Sequence, residues 1–113
     1  MRSENILLSL RGDEKLSGLN SFVVSYDIMD PKRLQRVHKI MKGFGAPLHY
    51  SVFRCDLTPK GRVEMIAALT DLIKQNVDRI MIIDLGPAEG SIEKRIEFLG
   101  VHPVEMERKA IIV

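Results

Sequence analysis

An apolar run, Phe22-Val23-Val24-Ser25-Tyr26, ends in the carboxylate of Asp27. Asp30-Pro31 follows, and then a segment that carries Lys32, Arg33, Arg36, Lys39 and Lys42 with no acidic residue as far as Phe44. A carboxylate fixed at a strand end stands at the rim of a sheet, where its oxygens can meet a hard divalent cation such as Mg²⁺. Cations in a row neutralise successive phosphates. Side by side, the two features describe a place for a phosphodiester backbone, and a divalent metal there lowers the pKa of a bound water. The plainer reading is that Asp27 caps the following turn and that the basic helix is a solvated face.

The elements that must hold these groups are legible from periodicity. Ser21 to Ile28 is nearly continuous in β-branched and aromatic residues and reads as a buried strand. Asp30 is an N-cap with Pro31 at the first helical position. Leu34, Val37, Ile40, Met41 and Phe44 then share one helix face, Lys32, Arg36 and Lys39 the opposite one, and Gly43 and Gly45 stop the helix. Arg33 lies at the apolar edge of the first turn, from where it can reach round towards Asp27 or extend to solvent. Leu48 to Leu57 is extended, but its apolar phase slips by one residue near Val52-Phe53. That slip predicts a turn near His49 to Ser51 between two short strands. Thr58-Pro59 opens a second helix whose buried face is expected at Val63, Ile66, Leu69, Thr70, Ile73 and Val77. Asp78 to Leu85 reads as a strand ended by Gly86-Pro87. Ser91 to Gly100 fits both helical and strand spacing. Ala110-Ile111-Ile112-Val113 reads as a strand that pairs with a sheet edge, such as that of another subunit.

This order predicts an α+β fold: a ferredoxin-like (βαββαβ) sandwich with both helices on one face of an antiparallel sheet and extra C-terminal strand structure. The free sheet face needs cover, which a face-to-face homodimer supplies. At 113 residues the chain is one domain, residues 21–113, preceded by a segment 1–20 that reads as an N-terminal extension. The net charge of +2 is too small to argue for nucleic acid by itself. Its distribution says more, because the helix after Asp27 is all positive while Asp and Glu collect elsewhere. A single cysteine, Cys55, excludes an internal disulfide and reads as a buried apolar residue in a reducing cytoplasm. No apolar stretch approaches a membrane span, so no membrane partner is expected. His38, His49 and His102 lack metal-ligand spacing. Asp84 is expected at the sheet end opposite Asp27. Six aromatics without tryptophan make base stacking a poor mode of contact, so phosphate contacts and strong salt dependence are expected.

Val24-Ser25-Tyr26-Asp27-Ile28, the helix start Lys32-Arg33-Leu34, the stop at Gly45, and Ser51-Val52-Phe53 followed by Cys55 and Leu57-Thr58 occur in an order that resembles the CRISPR-associated endoribonuclease family, the small second core protein of spacer acquisition. The similarity covers roughly Ser21 to Gly100. It implies a ferredoxin-like homodimer with exchanged C-terminal strands and a divalent metal, usually magnesium, held near the two-fold axis by the aspartate of each subunit, here Asp27. It also implies endonuclease activity on RNA or DNA, or a non-catalytic role that bridges an integrase and grips the spacer duplex. The chain departs from the family pattern at Pro47-Leu48-His49, at Arg54 and in the residues before the first strand. RNA and DNA therefore both stand as substrates.

Joined to the residue chemistry, the resemblance makes Asp27 the catalytic and metal-binding residue of a Mg²⁺-dependent endonuclease in antiviral defence. Lys32, Arg33, Arg36, Lys39 and Lys42 would hold phosphates, with Tyr26, Ser51 and Phe53 in support. Ser51 would place a hydroxyl near the metal water, whereas Tyr26 reads first as sheet packing. The alternative is a dimeric scaffold for the spacer integrase that binds duplex backbone without chemistry of its own.

Overall fold

The protein is described by a computed structural model over residues 18–101. The expected N-terminal extension and the apolar strand at Ala110–Val113 lie outside the described residues, apart from the last positions before the first strand. The elements run β1 (Asn20–Asp27), α1 (Pro31–Lys42), β2 (Ala46–His49), β3 (Val52–Leu57), α2 (Pro59–Leu72), β4 (Arg79–Pro87) and a 3₁₀ helix at Gly90–Arg95. The four strands form one sheet in the order β2-β3-β1-β4, and every neighbouring pair is antiparallel. This is the ferredoxin-like topology expected from the order of elements.

Each helix begins as its cap residues dictate. Asp30 accepts from the Arg33 amide at 2.8 Å, with Pro31 following. Thr58 Oγ1 accepts from the Gly61 amide at 3.0 Å, with Pro59 following. Glycine 45 is required by close approach. A Cβ there would lie 2.3 Å from the Arg54 carbonyl oxygen and 2.6 Å from Cys55 Sγ, so β2 can enter against β3 only with hydrogen in that place. The slipped apolar phase resolves as a tight β2–β3 hairpin over residues 50–51, with a register shift between Pro47 and His49.

The core lies between the sheet and the helices. Phe22, Val24, Tyr26, Phe53, Cys55 and Leu57 meet Val37 and Met41 of α1 and Met65 and Leu69 of α2. Burial pushes the Cys55 thiol up to about 12, as a packed rather than reactive thiol requires. On α2 the buried residues are Gly61, Met65 and Leu69, with Ile66 and Ile73 packed against the core; of the face expected from the sequence, Ile66, Leu69 and Ile73 pack and Val63, Thr70 and Val77 do not. Val63 and Thr70 are exposed, and the helix stops at Leu72, so Val77 falls in the following turn. The cause is that apolar residues surround α2 on several sides, so spacing alone does not single out the packed one. Of the ambiguous segment 91–100, the first half falls in a 3₁₀ helix at Gly90–Arg95, and residues 96–100 are neither helix nor strand.

Candidate functional site

Alternation along β1 decides where Asp27 points. Phe22, Val24 and Tyr26 enter the helix-covered core, so Val23, Ser25 and Asp27 project from the helix-free face. Asp27 is the last residue of the strand and stands opposite Arg79 of β4. It is exposed, and its carboxylate makes no hydrogen bond or ion pair with any described residue. The turn after β1 is capped by Asp30, which removes capping as the role of Asp27. Ser51 comes to the same sheet end, its carbonyl accepting from the Tyr26 amide at 3.0 Å. Asp84 pairs with Phe22, away from this end, and accepts from the Gly86 amide at 2.7 Å.

Along the same open face run Val23, Met81 and Ile83, and Met81 and Ile83 are 53% and 43% exposed. The part of the helix-free face around Met81 and Ile83 is thus apolar and uncovered among the described residues, with Asp27 at its rim.

Tyr26 anchors the strand end from the other side. Its hydroxyl hydrogen-bonds His38 Nδ1 at 2.8 Å, and both rings pack on Phe53. Desolvation pushes the Tyr26 phenol up to about 12. Burial, and then the charge of Lys42, lower the His38 pKa, which favours a neutral imidazole as the hydrogen-bond partner of the phenol. Tyr26, His38 and Phe53 therefore serve packing.

Lys32, Arg36, Lys39 and Lys42 are exposed along α1. Arg36 and Lys39 flank a groove between the helices whose floor is Ile40, Ala68 and Leu72, with Asp71 at its edge. These cations belong to the helix layer, on the opposite side of the sheet from the Asp27 side chain. Arg33, expected either near Asp27 or among the phosphate-holding cations, is instead engaged by Asp78: its Nε donates to Oδ2 at 2.5 Å and its Nη2 to Oδ1 at 3.0 Å. A bidentate guanidinium–carboxylate pair is geometrically demanding and leaves little of the fork for another anion. The sequence marks Asp78 only as the start of a strand. The available signal is an acidic residue in the turn just before an apolar strand, at the height of a helix N-terminus that carries an arginine.

A divalent ion needs more oxygens than one Asp27 provides, and the described residues hold no group of three or more His, Cys, Asp or Glu side chains able to bind one. The described residues of one chain therefore do not by themselves form such a group.

Comparison with known proteins fits this geometry. The family model described as "CRISPR associated protein Cas2" matches residues 20–90. A curated protein of Rhodospirillum rubrum named "CRISPR-associated endoribonuclease Cas2 1" is 39% identical over 102 residues, which take in 90% of this chain and 99% of that protein. Another from Geobacter sulfurreducens, "CRISPR-associated endoribonuclease Cas2", is 37% identical over 81% of this chain and 96% of its own length. The crystal structure of Streptococcus pyogenes Cas2 superposes with a TM-score of 0.62 at 30% identity, covering 71% of this chain and 99% of that one. From the shared elements, and from this extent of identity, the chain belongs to the Cas2 family of CRISPR-associated proteins.

Proposed function

We propose that this protein is a metal-dependent endonuclease, acting on RNA or DNA in CRISPR spacer acquisition and antiviral defence, whose catalytic group is Asp27 at a homodimer seam. The observation that supports it most is an Asp27 carboxylate without a partner among the described residues, at the rim of an apolar patch of the sheet. A second copy laid against that face buries Met81, Ile83 and Val23 and brings two Asp27 side chains together across the two-fold axis. Two like charges so placed repel, and a divalent cation such as Mg²⁺ between them removes the repulsion. The two Asp27 carboxylates would hold such an ion, and its chemistry would be to activate a water and offset negative charge that builds at the phosphate. Asp27 holds the pair of oxygens in place. Ser51, at the same sheet end, offers a hydroxyl towards the attacking water.

The test is cleavage of RNA and DNA by the purified dimer with Mg²⁺ and with a chelator. Asp27→Ala is expected to abolish a chelator-sensitive activity and to leave the dimer intact. Persistent cleavage by Asp27→Ala would falsify the catalytic reading.

A second reading rests on a different observation. Lys32, Arg36, Lys39 and Lys42 lie on the helix layer, across the sheet from Asp27, so backbone held there need not reach the carboxylate. That arrangement suits a scaffold which grips duplex DNA and bridges the spacer integrase without chemistry. Under it, Asp27→Ala still supports integration, whereas charge reversal at Lys39 and Lys42 does not. No helix among the described residues is long and apolar enough to cross a membrane.

A further inference from the structure

A second carboxylate, which the proposed chemistry does not use, holds the corner that presents Asp27. Asp78 lies between α2 and β4, immediately before Arg79, the ladder partner of Asp27. Its side chain is 0% exposed and that of Arg33 is 16% exposed. Its two oxygens accept four N–H groups. Oδ1 takes the Met29 amide at 3.0 Å and Arg33 Nη2 at 3.0 Å, and Oδ2 takes Arg33 Nε at 2.5 Å and the Lys74 amide at 2.8 Å. The donors come from the β1–α1 turn, the first turn of α1 and the loop after α2. They fill the carboxylate.

These bonds fix the site from two directions. Asp27 is tied to Arg79 through the sheet, and two residues later the chain is tied again, by the Met29 amide, to the neighbouring Asp78. Arg33 carries the start of α1 to the same anchor. The strand end and the helix that leaves it are thus set relative to each other by one side chain. In the same act Asp78 turns the Arg33 guanidinium away from any anion bound beside Asp27.

We infer that Asp78 is a positioning residue: by clamping the Met29 amide and Arg33 it fixes where the Asp27 carboxylate stands on the open face. The inference rests on the reading of Asp27 as the catalytic group. Displacing a reacting group by about an ångström costs on the order of 100-fold in rate without weakening substrate binding.

The test is single-turnover and steady-state cleavage by the full-chain dimer and by its Asp27→Ala, Asp78→Ala, Arg33→Ala and Asp78→Ala/Arg33→Ala variants. Assays are run at a temperature where circular dichroism shows every variant folded. Asp78→Ala is expected to lower kcat about tenfold to 100-fold with KM unchanged. Arg33→Ala should do the same, and the double variant should be no worse than either single one, because the two act as a unit. Raised KM with intact kcat in Arg33→Ala would make Arg33 a phosphate contact and overturn the inference. Wild-type kcat in Asp78→Ala, or losses that simply add, would also overturn it. Should the alanine variants not fold, Asp78→Asn takes their place, together with amide exchange in the wild-type protein. Protected Met29 and Lys74 amides support the clamp, and exchange as fast as in an open turn overturns it. Cleavage that survives Asp27→Ala strikes the catalytic reading itself, and the positioning claim falls with it. Loss in Asp27→Ala with none in Asp78→Ala strikes the positioning claim alone.

Discussion

The two ends of β1 treat their polar groups in opposite ways. At the Ser21 end Asp56, Arg54 and Glu93 are linked to one another and to Ser21. Ser21 Oγ donates to Asp56 at 2.6 Å, and Arg54 bridges Asp56 at 3.3 Å and Glu93 at 3.8 Å. Ser21, Leu19, Ala88 and Ile92 are buried there, and the Ala88 amide donates to the Leu19 carbonyl at 2.9 Å. At the Asp27 end the carboxylate has no partner among the described residues, and the apolar side chains beside it are open. An exposed carboxylate is stable in water. Covered by a second sheet it would lose that water and need a cation in exchange. One end therefore completes its own structure, while the other is suited to be completed from outside.

The sharpest way to break this contrast is to neutralise one carboxylate at each end. Asp27→Asn is expected to lower cleavage by at least about 100-fold, the scale set by removing one well-placed electrostatic group. Its melting temperature should barely move, since exposed substitutions without partners change stability by less than about 0.5 kcal/mol. Asp56→Asn should do the reverse: cleavage unchanged, with stability reduced by no more than about 1 kcal/mol because its pair with Arg54 is solvent-exposed. Equal loss of activity in the two variants would mean the ends do not differ in function.

Next in size is the open face. Met81→Lys or Ile83→Lys places a charge where a second copy would bury it, and an unpaired buried charge is costly enough to dissociate a dimer of this size. Sedimentation should show monomer, and cleavage should fall with the dimer. A dimer that tolerates either substitution would move the seam elsewhere and separate Asp27 from a symmetry mate. Charge reversal of Lys39 and Lys42 together is expected to be milder and of a different kind. Binding to RNA and DNA should weaken without sequence preference, and the slope of log affinity against log salt should shrink by about one for each phosphate that is no longer neutralised. The Asp27 variant should leave that slope unchanged.

How much of this was legible in the sequence depended on how local the cause was. The caps at Asp30 and Thr58, the strand that ends at Asp27 and the hairpin marked by the phase slip at Val52-Phe53 all follow from neighbours a few residues apart. So does the exclusion of Asp84, because strand direction alone places it away from Asp27. The buried face of α2 was legible only in part, at Ile66, Leu69 and Ile73. Val63 and Met65 are both apolar, and only the sheet beneath decides which of them packs. The fate of Arg33 was equally hidden, because Asp78 lies 45 positions away along the chain and comes to it only once α2 and β4 are in place. Acid should expose this long-range tie. The Arg33 hydrogen bond, with the Lys74 and Met29 amides, outweighs desolvation and holds the Asp78 carboxyl well below the usual carboxylate range. A depressed folded pKa stabilises the protein fully above about pH 4 and loses that contribution as pH falls towards the depressed value. Chemical denaturation of Asp78→Asn should therefore show a flatter decline in acid than the wild type.

The smallest effect tests whether the helix-covered side of the same strand end takes part. Tyr26 adjoins Asp27 but points into the core, where its hydroxyl shares a hydrogen bond with His38 Nδ1. Tyr26→Phe removes that hydrogen bond and leaves His38 Nδ1 short of a partner, at an expected cost of about 1 kcal/mol in denaturant melts. The pH dependence gives the sign. The folded His38 pKa is lowered, so the unfolded chain binds the proton more readily. Stability from this residue is present above its unfolded value of about 6.5 and declines as pH falls through it. Substituting His38 with Gln, which stays neutral, should remove that decline and leave kcat at neutral pH unchanged. A change in kcat with no change in the pH dependence of stability would bring the Tyr26–His38 pair into the chemistry, and the division between a structural face and a reactive one would no longer hold.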